Sequence, residues 1–158
     1  MEVNKLIAIV RIRGLVNVKH TIADTMKILK LFKKNYCVIV PSTSSLIGMM
    51  DKIKDYVTMG EIDEATLMEL LQKRGRVAGN KRLTADYLKS NKLTFESLAK
   101  ELLAGKKRMK DVPGAKSFFR LSPPRGGFER KGIKHSFSAG GVLGYRKAAI
   151  NDLIRRML

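Results

Sequence analysis

Residues 6–13 read LIAIVRIR, and the alternation inside this run decides the fold. It has the length and β-branched content of a strand, along which side chains point alternately to opposite faces. Leu6, Ala8, Val10 and Ile12 form one wholly apolar face, which needs something packed against it. Ile7, Ile9, Arg11 and Arg13 form the other, apolar at the start and cationic at the end. The pattern predicts a central strand with a core face and a second face that ends in two arginines. On its own, that cationic end reads as a solvated strand terminus.

Outward from this strand, residues 14–20 (GLVNVKH) read as a loop. Thr21 with Asp24 three positions later is a variant capping box, and it predicts a helix over 21–34. Ile22, Met26, Leu29 and Phe32 share one face of that helix. Residues 36–40 (YCVIV) predict a second strand, stopped by Pro41. Serines 42, 44 and 45 and Thr43 offer caps for a second helix striped by Leu46, Met50 and Ile53. Residues 55–62 (DYVTMGEI) predict a third strand, weakened where Gly60 interrupts it. The order β-α-β-α-β predicts two helices on one face of a three-stranded sheet, burying the even face of the opening strand.

From residue 63 the pattern turns helical. Leu67, Leu70 and Leu71 follow an acidic first turn, a break comes at 75–79, and 94–104 has Thr94 as cap and Gly105 as stop. Residues 106–141 carry no sustained period and are rich in proline, glycine and cations. Phe118, Phe119, Leu121, Phe128, Ile133 and Phe137 recur through them, more apolar anchors than a solvated linker carries. Residues 145–158 read as a terminal helix with Ile150, Leu153, Ile154 and Met157 inward. The expected organisation is 1–62 as core, 63–104 as helical insertion, 105–141 as basic arm, and 142–158 as a C-terminal helix packed on the core.

Charge narrows the function. The 158 residues carry a formal net charge of +18, from 32 Lys and Arg against 14 Asp and Glu. Such an excess disfavours a compact state unless a polyanion offsets it, and nucleic acid is the commonest one. The excess is uneven: residues 61–104 hold eight basic and seven acidic side chains, whereas 105–134 hold ten and two. No apolar run is long enough to span a bilayer, and residues 1–4 do not open a signal peptide. The single Cys37 lies in an apolar run and reads as a buried thiol in a reducing compartment.

Catalysis finds no constellation. His20 and His135 each sit beside a lysine with no second ligand, so neither a metal nor a cofactor is expected. Residues 75–81 (GRVAGNK) resemble a phosphate-binding loop only superficially. They have one residue too few between the glycines, and Arg82 stands where a magnesium-binding hydroxyl belongs. RNA fits the cations better. Arg11, Arg13, Lys19 and His20 are expected to gather at one sheet edge, and Arg120, Arg125, Arg130, Lys131, Lys134 and His135 in the arm. Glycines beside cations let the backbone approach phosphates, and Ser136 and Ser138 add hydroxyl donors.

The segments LIAIVRIRG, TIADTMKILKLFKKNYCVIV, SLIGMM at 45–50 and DYVTMGEI together resemble the L-thirty family of large-subunit ribosomal proteins, called L-seven in eukaryotes. The helical insertion and basic arm are similar to its archaeal branch. The resemblance implies an α+β, ferredoxin-like β-α-β-α-β sandwich with a three-stranded antiparallel sheet and the opening strand central. It also implies a cytoplasmic, non-enzymatic constituent of the large subunit that binds and stabilises ribosomal RNA beside neighbouring ribosomal proteins. It assigns RNA contact to the cations of 123–141 as a group. No membrane partner and no small-molecule substrate are expected. The alternative is a non-ribosomal RNA-processing or RNA-chaperone factor using the same basic surface.

Overall fold

Strand β1 (Leu6–Arg11) is the middle of a five-stranded sheet in the computed structural model, which describes residues 5–90 and 93–158. The reading of residues 1–4 lies outside the described residues. Strands β2 (Tyr36–Pro41) and β3 (Val57–Glu61) flank β1 antiparallel, pairing Ala8 with Ile39 on one side and with Gly60 on the other. Two short strands complete the sheet. β4 (Phe119–Arg120) adds antiparallel to β2, and β5 (Gly144–Tyr145) adds parallel to β3. The order is β4-β2-β1-β3-β5, so the fold is α+β with a mixed sheet. The expected three-stranded antiparallel sheet is therefore corrected. Two-residue strands carry no readable period, and each forms only because the chain on either side is pinned.

Both faces of β1 are core, but their covers are the reverse of the sequence expectation. Ile7 and Ile9 pack with Met26 and Leu29 of the first helical region and with Leu46, Met50 and Ile53 of the second. Those helices are α1 (His20–Ile28) and α2 (Ser44–Ile53). The even face, Leu6, Ala8, Val10 and Ile12, packs instead on later helices. These are α3 (Glu64–Arg74), α5 (Phe95–Leu103) and α6 (Ile150–Met157), with α4 (Ala85–Ser90) beside them. Alternation reveals two apolar faces without saying which helices cover which, since each face is long enough to seat a pair. Three layers result, with the sheet in the middle.

Local chemistry corrects several boundaries. α1 opens at His20 with Lys19 at its N-cap and no side-chain cap, so Thr21 and Asp24 make no capping box. Thr21 instead lies inside the helix, where its carbonyl accepts from the Thr25 hydroxyl at 2.8 Å. α1 also stops early: Lys30 takes a left-handed φ of 59°, and the chain to β2 is irregular. The period that predicted a helix to residue 34 belongs to side chains packing from a bent segment. Tyr145 pairs in β5, so the last helix starts at Ile150. Two caps fall where the sequence put them. Thr43 accepts from the Leu46 amide, and Thr94 and Ser97 close a reciprocal box at α5.

Gly60 does not weaken β3; it lets α6 approach. A Cβ there would lie 2.1 Å from the Lys147 carbonyl oxygen and 2.8 Å from Ile150 Cβ. Gly60→Ala must push the α6 entrance off the sheet, and overpacking of this kind costs about 1–3 kcal/mol. The expected result is a lower urea midpoint with an unchanged slope. An unchanged midpoint would show that the segment from Lys147 to Ile150 yields freely.

Candidate nucleic-acid interface

One end of the sheet collects the cationic features because of strand direction. β1 ends there opposite the start of β3, Arg11 facing Val57. β4 ends there with Arg120 opposite Tyr36, and β5 begins there with Gly144 opposite Thr58. Residues 121–143, which hold most of the basic arm expected over 105–141, link the last residue of β4 to the first of β5. Topology thus sets the arm's two roots on opposite edges of the sheet, at the end where β1 exits.

The arm is held along most of its length. Before β4, Val77 bridges Ala115, and the Lys116 amide donates to the Arg76 carbonyl at 2.8 Å. Phe119 and Leu121 are buried, while Phe118 stacks on Tyr36 at 5.2 Å and meets Phe32 edge-on at 5.8 Å. Beyond β4, the Ser122 and Arg125 amides donate to the Met157 and Arg156 carbonyls of α6, each at 2.9 Å. Residues 129–143 then fold back on themselves. The Lys131 amide reaches Gly140, and the His135 carbonyl accepts from both Val142 and Leu143. Phe128 packs on the core and Phe137 lies under Arg146, as anchors should. Ile133, expected to be a further anchor, is instead exposed on the loop's outer turn.

The clasp of this loop is an ion pair. Arg146 is buried; its guanidinium donates to Glu129 at 2.7 Å, to the Thr58 hydroxyl at 2.8 Å and to the Val142 carbonyl at 2.9 Å. Arg156 approaches the same Glu129 oxygen at 3.5 Å. Burial raises the Glu129 pKa, but the Arg146 hydrogen bond, the loop backbone and the charges of Arg146 and Arg156 outweigh it. The net shift is downward. A carboxyl depressed in the folded state stabilises fully above its unfolded value, near ~4.3, and loses that contribution as pH falls through its folded value. Trypsin should therefore cut after Arg130, Lys131 and Lys134 slowly at neutral pH. Glu129→Gln should speed that cleavage markedly, since leaving a buried guanidinium without its carboxylate costs about 3–5 kcal/mol. Equal cleavage rates would mean the loop is held by its glycine turns alone.

The proposed contact residues have unlike fates. Arg120, Arg125, Arg130, Lys131, Lys134 and His135 are exposed. Within the chain, the Arg130, Lys131 and Lys134 side chains make no hydrogen bond or ion pair among the described residues. Arg120 lies over the Tyr36 and Phe118 rings at 5.8 and 5.9 Å, which fixes its direction. Arg13 is half-buried over Tyr56 and donates to the Asp55 carbonyl at 3.2 Å. Lys19 and His20 are exposed at the start of α1, and no hydrogen bond of their side chains ties them to the cationic end among the described residues. Arg11 departs most from expectation. It is 2% exposed, and its donors go to the carbonyls of Arg13 (2.9 Å), Leu31 (2.8 Å) and Phe32 (2.7 Å). Burial pulls its pKa below the usual arginine value. It tethers the chain leaving α1 and presents no cation at the surface.

Two residues that organise the site were missed from sequence, Glu129 and Arg146. A signal existed for the first: between residues 112 and 151, Glu129 is the single acidic side chain. Cys37 is fully buried, its thiol pushed up to about 12 by desolvation, as its apolar context predicts. Among the described residues no three His, Cys, Asp or Glu side chains converge on a metal site.

An α+β scaffold that displays an unpaired cationic loop from one sheet end defines the class of protein whose surface meets a polyanion. Comparison with known proteins places it more closely. Residues 7–57 match the family described as Ribosomal protein L30p/L7e. The large ribosomal subunit protein uL30 of Methanococcus vannielii is 53% identical over 152 residues, 96% of this chain and 98% of that one. The uL30 of Nanoarchaeum equitans is 53% identical over 154 residues, 97% and 99% of the two chains. That of Methanopyrus kandleri is 45% identical over 148 residues, 92% and 99%. The chain belongs to the uL30 (L30p/L7e) family, of archaeal type, a structural family and not one of enzymes.

Proposed function

We propose that this chain is a structural constituent of the large ribosomal subunit, acting in cytoplasmic ribosomes, where it binds large-subunit ribosomal RNA and stabilises its arrangement. The observation that carries this is the division of labour in the arm. Its aromatics and Glu129 are spent inward, while the side chains of Arg125, Arg130, Lys131 and Lys134 pair with nothing among the described residues. Cations left unpaired on a braced loop suit phosphates, because little side-chain or backbone order is lost on binding. Arg13, Lys19, His20, Arg120 and His135 join this surface in our reading; Arg11 does not, its donors being committed.

In the same reading 1–62 is a ferredoxin-like scaffold, 63–104 the helical layer behind it, 105–141 the arm that meets RNA, and 142–158 the closing segment. Neighbouring large-subunit proteins are further partners. The test is fractionation of cells carrying a tagged chain. Stoichiometric retention on large subunits through a high-salt wash is expected. Sub-stoichiometric association lost in that wash would favour a transient RNA-processing or chaperone factor instead.

A further inference from the structure

The outer edge of β2 is open where β4 leaves it. β4 covers β2 only opposite Tyr36 and Cys37, so residues 38–41, paired with β1 on one side, have no strand on their other side among the described residues. A groove of about 740 Å³ runs along those four residues. One wall is apolar, from Ile28 and Leu29 at the end of α1 and Leu46 and Met49 of α2; the other includes Leu102 and Met109. Ile28 is 68% exposed there, so its apolar surface continues the groove wall out into solvent. Lys30, Lys107, Arg108 and Lys110 line the rim, and no Asp or Glu lines the groove among the described residues.

We propose that this groove takes an extended, acidic segment of a neighbouring protein, which adds to β2 as a further strand in line with β4. Three features favour a peptide over RNA here. The open edge offers the Ile39 amide as donor and the Ile39 and Pro41 carbonyls as acceptors at the spacing of another strand, which a ribose-phosphate chain does not match. Apolar walls suit alternate side chains of an extended peptide. The all-cationic rim selects carboxylates for the outward ones. Lys30 is held at the β4 end by its 2.6 Å bond to the Ser117 hydroxyl, and Lys107 already carries Glu101 at 2.9 Å, so Arg108 and Lys110 supply the uncommitted charge. The inference does not depend on the arm's contacts with RNA.

The test uses the full chain with a short labelled peptide of alternating valine and glutamate, and its valine–lysine counterpart. The acidic peptide should slow amide exchange at Ile39, whose N–H faces the open edge, and not at Val38 or Val40, whose amides face β1; the basic peptide should slow none of them. Ile28→Glu, a change on an exposed side chain, should weaken the acidic peptide by about tenfold through like charge while leaving the melting temperature unchanged. Equal behaviour of the two peptides, absence of protection at Ile39, or stronger protection there by a single-stranded RNA oligonucleotide would overturn the proposal. On intact large subunits, a photocross-linker on Ile28→Cys, with buried Cys37 unlabelled, should capture a carboxylate-rich segment of one protein. Capture of RNA or of a basic segment would overturn it there too.

Discussion

Replacing Arg130, Lys131 and Lys134 together by glutamine should lower affinity for a large-subunit ribosomal RNA transcript by roughly fiftyfold to a hundredfold at physiological salt. The magnitude follows from counterion release. Each phosphate contact contributes a log–log salt slope of about 0.7–0.9, so three contacts account for a slope change of about 2 and, near 0.15 M salt, about two decades of affinity. The wild-type affinity should itself fall steeply with salt. The fold should not respond, because these three side chains are exposed and pair with nothing in the chain among the described residues. Unchanged affinity and slope, measured by filter binding across a salt series, would remove the arm from the interface and move it to the α1 end around Lys19 and His20. Substitution is the cleaner test than excision of 123–141. Excision would strip Glu129 from the buried Arg146 and expose the surface under Phe128, so loss of assembly would confound unfolding with lost contacts.

The second large effect is expected at Arg11. Arg11→Ala removes a buried guanidinium bonded to three carbonyls, and Leu31 and Phe32 then have no partner for those oxygens. Hydrogen bonds from a charged donor contribute about 1.5–3 kcal/mol each in favourable cases, and the three share one side chain, so a net loss of about 3 kcal/mol is expected. A lower urea midpoint with an unchanged slope is the readout. Arg11→Lys separates the roles. A lysine keeps the charge but cannot reproduce the planar fork, so it should recover little of the lost stability. Recovery of stability by lysine, or a loss of RNA affinity without a loss of stability in either variant, would return Arg11 to the binding surface.

Much of this was legible in the chain, for identifiable reasons. The strand opening at residue 6, which ends at Arg11 and not at residue 13, the strand at 36–40 and the cap at Thr94 rest on local periodicity and turn chemistry, which need few distant partners. The arm was legible as ordered because Phe118, Phe119, Leu121, Phe128 and Phe137 are costly to leave in water. Ile133 shows the limit of that argument: one apolar residue in six stays on the surface of a loop too small to bury it.

Sequence by itself determined that the opening strand would be central, with one wholly apolar face and another apolar at its start and cationic at its end, and that the cations would outnumber what the chain could pair. Only the tertiary structure decided which helices cover which face, since alternation is symmetric between them. It alone showed Gly60 as a point of close approach, because the clashing atoms come from residues 147 and 150, far along the chain. It also separated Arg11 from Arg13. Two arginines on one face of one strand look alike in a sequence. What differs is whether the chain leaving α1 brings three carbonyls or open solvent to the guanidinium, and that depends on how the helix stops. The same logic runs through the opening strand as a whole: its alternation is local, and the assignment of each side chain to core, tether or surface belongs to whatever the rest of the chain packs against it.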